Sequence, residues 1–332
     1  MVSIRLLVCL VGLVSGVLGY SRYSRSPHAS LSLSSSPSPI SNLFKPNSNP
    51  FTRLEESDIP LSREVSELPD SFGDAVKRAC RCTMECIGAG TATCRIEFDT
   101  SVADMTYTSL KSTMPMIKEF VKVLDEEMKI TSSEGGGTIR LFFPDMGAAA
   151  LVRRDWKMGT DAAEVPSSLQ TANVQNDPLA PTDRVAILLC PLYSESDYVK
   201  RVVELCATES IPCIMVNPDL INMDQGFGVR ARNIRKNLLN QFVTTYKLKT
   251  MKDGAVVREW PKGFAVWNED ETAPGGYTLL QCYSTEPTRE IINDLFDAAN
   301  PDEDSANANK GPSPVSAVFN EISGFFKGMS RL

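Results

Sequence analysis

Three apolar runs in this chain stop in the same way. They read Phe142-Phe143-Pro144-Asp145, Leu189-Cys190-Pro191-Leu192 and Val216-Asn217-Pro218-Asp219. Proline has no N–H to donate, so it ends strand pairing. The run before Pro191, Val185–Cys190, is apolar throughout, as a strand buried on both faces would be. Three inner parallel strands ending in proline place their carboxyl ends along one edge of a sheet, where ligands of such folds bind. This restricts the fold to the α/β layered class and places the candidate site on that edge.

The rest of the pattern agrees. Phe72, Val76, Ala79, Thr83 and Ile87 recur at helical spacing, and Asp70–Gly88 reads as a helix capped by Asp70. Cys94, Ile96 and Phe98 alternate with Arg95, Glu97 and Asp99, a strand with one wet face. A helix through Leu110, Ile117, Val121, Leu124 and Met128 is interrupted or started near Pro115. Strand Thr138–Phe143 and helix Ala148–Met158 follow, and residues 159–183 read as a long polar loop or insertion. Beyond Cys190 come a helix with Val199, Val202, Val203 and Cys206, strand Cys213–Asn217, and helix Val229–Phe242. The period then changes to two. Tyr246–Met251, the turn Lys252-Asp253-Gly254 and Ala255–Trp260 make a hairpin. Phe264–Trp267 and Tyr277–Tyr283 are further strands, and Ile291, Ile292, Leu295 and Phe296 lie on a last helix. The expected architecture is a Rossmann-like mixed sheet, parallel in its first half and antiparallel in its second, with helices on both faces.

The flanks are different. No Asp or Glu precedes Glu55. Arg5 and the apolar run Leu6–Gly19 have the form of a signal peptide, too short to span a bilayer. Tyr20 to about Pro46 is Ser-rich, Arg-containing and acid-free, like a transit peptide. The pair resembles the bipartite presequences of algae with secondary plastids, such as diatoms. The alternative is ordinary secretion with a Ser/Pro spacer. Residues 1–45 are read as presequence, 46–69 as linker, 70–300 as a single α/β domain and 301–312 as a second linker.

Residues 313–332 form an amphipathic helix on this reading, started by Ser313-Pro314. Its apolar stripe is Val315, Val318, Phe319, Ile322, Phe325, Phe326 and Met329. That stripe fits a partner's groove, a membrane surface or the chain's own core.

Composition narrows the chemistry. The chain holds 34 Lys and Arg against 41 Asp and Glu, and its presequence takes four basic residues and no acidic one. An acidic body argues against nucleic acid as a partner. The one histidine, His28, lies in the presequence. A processed chain then lacks histidine, which excludes Ser-His-Asp and Cys-His catalysis and His-ligated metal sites. Cys80, Cys82 and Cys86 share one helix, where successive residues turn about 100°, so three thiolates cannot converge. With Cys94 they are read as packing groups rather than a metal site, and Cys190, Cys206, Cys213 and Cys282 likewise. No metal and no cofactor are expected.

Two groups could carry a ligand or partner. Asp145, Asn217 and Asp219 follow the strand ends, where they could line a pocket or simply cap turns. Gly226-Phe227-Gly228 leads into a helix bearing Arg230, Arg232, Arg235 and Lys236. A helix start with arginines nearby can hold a phosphate, although no Gly-Lys-Ser/Thr motif accompanies it. The bland reading is a solvated or partner-facing basic surface.

The ordered series of strand ends continues with Gly147-Ala148-Ala149-Ala150 and Asp155-Trp156. Later come Arg230, Arg235, Phe242, Tyr246-Lys247-Leu248-Lys249 and Val257-Arg258-Glu259-Trp260-Pro261. Together, over about residues 68–300, they resemble the plastid and cyanobacterial domain-of-unknown-function 1995 family. That family includes plant low-photosystem-II-accumulation assembly factors and the extension of a chloroplast adenylate kinase. It offers no catalytic residues to carry over. The resemblance implies a plastid location, in the stroma or at the thylakoid surface. For some members it implies non-enzymatic help in photosystem II assembly by binding photosynthetic membrane-protein subunits or assembly factors. The alternative is an enzyme or sensor that binds a nucleotide or sugar phosphate at the sheet edge.

Overall fold

Among the described residues, nine strands pair into one sheet in the order β3-β2-β4-β5-β1-β6-β7-β8-β9. They are β1 (Thr93–Phe98), β2 (Thr138–Phe143), β3 (Leu169–Asn173), β4 (Asp183–Leu189), β5 (Cys213–Val216), β6 (Val243–Met251), β7 (Gly254–Glu259), β8 (Phe264–Glu269) and β9 (Tyr277–Tyr283). All pairings from β3 across to β6 are parallel, and β6 to β9 form an antiparallel meander. The helices are α1 (Phe72–Gly88), α2 (Ser109–Met128), α3 (Met146–Asp155), α4 (Ser196–Glu209), α5 (Val229–Asn237) and α6 (Arg289–Ala299). This computed structural model describes residues 64–99, 109–132, 136–221 and 228–300. Residues 1–45, read above as a presequence, and residues 313–332, read as an amphipathic helix, lie outside them. Among the described residues, no helix is long and apolar enough to cross a membrane.

Alternation along each strand divides the core. Cys94, Ile96, Ile187, Leu189, Ile214 and Val216 face α1, α2 and α3. Ala186, Leu188, Cys213 and Met215 face α4 and α5 on the other side. Val256, Phe264 and Val266 meet α6 through Ile292 and Phe296. Each fully buried aliphatic contributes about 1.5–3 kcal/mol. The helices therefore cover both faces, and the fold is a mixed α/β sheet with a Rossmann-like parallel half.

Four local expectations change. The cap of α1 is Ser71, whose hydroxyl accepts from the Asp74 N–H. Asp70 instead donates its own N–H to Asp74. Pro115 sits inside α2 without ending it. It is buried beside Met116 and Ile117, and that packing offsets a cost of about 3 kcal/mol for proline in a helix. Residues 159–183 are not all loop, since β3 adds an edge strand alongside β2. Leu-Gln-Thr-Ala-Asn is too short and polar to read as a strand. Arg153 of α3 holds it, donating to the Thr171 carbonyl at 2.6 Å. Finally, α5 stops at Asn237 and a short 3-10 turn, Leu239–Gln241, leads into β6. Leu238 and Phe242 are nevertheless buried, while Leu239 is only partly so.

Seven of the described cysteines are packing groups. Cys80, Cys82, Cys86, Cys94, Cys190, Cys206 and Cys213 are buried free thiols. Cys282, on the last strand of the sheet, is exposed, unlike the structural role read from its apolar context.

Candidate functional site

Strands β2, β4 and β5 are neighbours, so Pro144, Pro191 and Pro218 stand side by side at one edge of the sheet. The chain leaves β2 toward α3 on one face and β4 toward α4 on the other. It leaves β5 for α5 on that second face, beside β1, whose chain continues toward α2 on the first. Such reversals open crevices at the carboxyl ends of strands.

The residues before two of these prolines take an unusual backbone conformation. Cys190 has φ 45° and Asn217 φ 46°. Side chains other than glycine's seldom occupy this region, although Asn tolerates it better than most. Each still extends its strand by one bond. Cys190 N–H donates to Val216 O, and Asn217 N–H to Ile96 O, both at 2.9 Å. The Asn217 side chain then takes over where the backbone turns away. Its Oδ1 accepts the Phe98 N–H at 2.7 Å. Its Nδ2 donates to Thr113 Oγ1 at 2.9 Å.

Thr113 is the hub of this cluster. Its hydroxyl donates to the Ser109 carbonyl at 2.8 Å. It also accepts from the Cys190 thiol at 3.5 Å. Burial pushes the Cys190 thiol up to about 11, against the opposing hydrogen bonds from Thr113 and Ser109. It is therefore a neutral thiol at physiological pH and a poor nucleophile. The sequence signalled Asn217 and Cys190 through the repeated proline ends but gave no sign that both bond Thr113 of α2.

Asp145 caps α3, accepting the Ala148 N–H at 2.8 Å, while remaining exposed. Asp219 is exposed, and its N–H donates to the Pro191 carbonyl at 2.9 Å. This forms a parallel bridge from Leu192 to Asp219 between the loops after β4 and β5. Glu195 was not singled out by the sequence. Its carboxylate is buried and accepts the Leu192 N–H at 2.9 Å. Burial raises its pKa, the Leu192 bond opposes this, and the negative charge of Asp145 adds to the rise.

Arg230 lies in the first turn of α5. It contacts Asp197 and Ser196 at 3.3 Å and stacks 5.0 Å from the centre of the Tyr193 ring. Arg232 and Arg235 are exposed further along α5, and Arg235 belongs to its last turn. At about 100° per residue, Arg232 and Arg235 fall on one side of α5 and Arg230 on another. The three arginines therefore do not share one side, and Arg230 stands with the loops of β4.

Exposed apolar side chains follow the same strand ends. Met146, Leu192 and Val229 follow β2, β4 and β5, and they are 66%, 41% and 65% exposed. Tyr198, in the first turn of α4, is exposed beside them in the chain order. Their signal in sequence was only position, each being an apolar residue just past a strand end or at a helix start. Among the described residues, no group of three or more His, Cys, Asp or Glu side chains is placed to hold a metal ion.

No curated protein matches the chain. A family model described as Domain of unknown function (DUF1995) matches residues 69–294, which spans every strand and all but the end of the last helix. The chain belongs to the DUF1995 family.

Proposed function

We propose that this chain is a plastid factor, stromal or at the thylakoid surface, that assists photosystem assembly by binding subunits rather than by catalysing a reaction. The observation that carries the reading is the exposure of Met146, Leu192 and Val229, apolar residues that follow the strand ends at the carboxyl edge of the sheet. Exposed apolar side chains at one edge suit protein contact. The polar side chains at this edge are engaged: Asp145 caps α3, Asn217 ties β1 to α2, and Arg230 pairs with Asp197. That occupation favours a binding surface over a reaction centre. The acid-free leader supports plastid delivery, and the apolar stripe from Val315 to Met329 would supply a second contact, with the membrane or with the partner.

The test is affinity capture from solubilised plastid membranes, read by mass spectrometry for photosystem II subunits. The unaltered chain should capture them, and a Met146→Asp/Val229→Asp double variant should lose most of that capture. Capture unchanged in the variant would end the assignment to this edge. Deleting residues 313–332 should release the protein from thylakoid fractions without unfolding it.

One observation favours a second reading. Gly228 begins α5 with no side-chain cap, at the same edge, with Arg230 two residues on. An uncapped helix start beside an arginine suits a nucleotide or sugar phosphate. A thermal-shift screen with such compounds tests it, because a ligand stabilises the folded chain by mass action.

A further inference from the structure

Among the described residues, the sheet is covered unevenly on the face that carries α4, α5 and α6. Helices α4 and α5 pack over β2, β4 and β5, and α6 packs over β7 and β8. Between these groups lie β1 and β6, at the middle of the sheet. Alternation turns Cys94, Ile96, Phe98, Tyr246 and Leu248 toward the opposite core. The side chains left on this face include Arg95, Glu97, Lys247 and Lys249, with Thr244 accepting from Arg95 Nη2 at 2.6 Å. A central strand would ordinarily present aliphatic groups there for a helix to cover.

These charges are organised. Arg95 Nε meets Glu97 Oε1 at 3.1 Å. Lys247 Nζ bonds Glu97 Oε2 and also Glu286 Oε1, the latter at 2.6 Å. The other oxygen of Glu286 lies 3.6 Å from Arg95 Nη2. Arg258, directly opposite Lys247 on β7, is fully buried with its guanidinium 4.5 Å from the centre of the Phe264 ring. Burial lowers its pKa, and the charge of Glu286 opposes the fall. Arg95 and Lys247 thus each contact both carboxylates, and the charge of exposed Lys249 also acts on Glu97, in a chain whose formal net charge is −7.

Glu286 differs from the other five. They project from paired strands, whereas Glu286 belongs to the connection between β9 and α6. Its side chain is 42% exposed, against 7% for Lys247. Its two oxygens reach two different cations, as those of a bound anion would. Placing Lys247 and Arg258 out of water is costly, and an aliphatic pair would serve the fold as well. We propose that this charge cluster on β1, β6 and β7 is a binding site for a small carboxylate- or phosphate-bearing molecule, and that Glu286 occupies its anion seat until the ligand displaces it. Glu97 stays as the fixed counterion, shared by Arg95 and Lys247. The site adjoins the carboxyl edge, since Glu97 falls between Ile96 and Phe98, which both bond Asn217, but its assignment rests on none of the exposed apolar residues of the subunit-binding reading.

The test is calorimetric titration of the full chain with inorganic phosphate, and in parallel with acetate, at fixed ionic strength and pH 7.5. Glu286→Gln keeps the shape of the side chain and removes its charge. If Glu286 fills the seat roughly nine-tenths of the time, its release tightens binding by about tenfold. The expected result is that tightening for phosphate, for acetate or for both, whichever group the site takes. Adding Arg95→Gln to Glu286→Gln should then weaken binding at least as much. Circular dichroism of each variant verifies folding, and Glu286 is exposed enough for its variant to fold. Absence of binding by Glu286→Gln with both anions overturns the proposal. So does equal affinity in Glu286→Gln and the unaltered chain, or full affinity in the double variant.

Discussion

Replacing Asn217 probes how the carboxyl edge is held together. The side chain satisfies the Phe98 N–H at 2.7 Å and donates to Thr113 at 2.9 Å. Alanine removes both bonds and leaves the Phe98 amide buried without its partner, at a cost of about 1–3 kcal/mol. Asn217 also has φ 46°, where alanine is disfavoured by about 1 kcal/mol. Asn217→Ala should therefore lose about 2–4 kcal/mol in all. Glycine accepts this backbone conformation freely, so Asn217→Gly isolates the hydrogen-bond part and should be less destabilising by about 1 kcal/mol. Urea unfolding of both variants measures the difference, provided that the slope m is unchanged. For a folded unit of this size the alanine variant should melt lower by roughly 5–15 °C. An alanine variant within about 0.5 kcal/mol of the unaltered chain would refute the idea that this side chain completes the edge of β1. Glycine and alanine variants of equal stability would refute the backbone contribution alone.

Two further outcomes are expected. Burial alone would raise the Glu97 carboxyl, but Arg95 and Lys247 outweigh it and hold its pKa below the usual value. A lowered folded pKa means that the stabilisation is complete above the unfolded value, about 4.3, and is lost as pH falls through the folded one. The urea midpoint should thus drop on acidification below pH 4, and Glu97→Gln should flatten that limb. Thiol labelling at pH 8 should modify Cys282 quickly and the seven buried described cysteines only after denaturant is added. Burial pushes the Cys80 and Cys82 thiols up to about 12, so inaccessibility and protonation act together. Rapid reaction at Cys80 or Cys82 in the folded chain would contradict the packing described for α1.

The sequence carried the fold class because its strongest signals are local. Proline at three strand ends and the change from helical to two-residue period each need only neighbouring residues. They located β2, β4 and β5, the meander and most of the helices. What failed locally was β3, whose five residues are polar and become a strand only because β2 and Arg153 lie beside them. Pro115 misled for the opposite reason, since burial against the sheet overrode its local preference. The family was also legible, through the ordered series of motifs that the family model spans.

The tertiary structure alone decided the partners. Strand order brings Pro144, Pro191 and Pro218 together, and places Thr113 against Asn217 across 104 residues of chain. It sets side by side the strands that Met146, Leu192 and Val229 follow, though each looks like an isolated surface residue in sequence. It also joins Arg95 and Glu97, which read only as a wet strand face, to Lys247 and Glu286, each about 150–190 residues away along the chain. Local sequence sets which way each side chain points along its own strand or helix. Which residues it then meets depends on strand order and crossover, and those follow from the packing of the whole sheet.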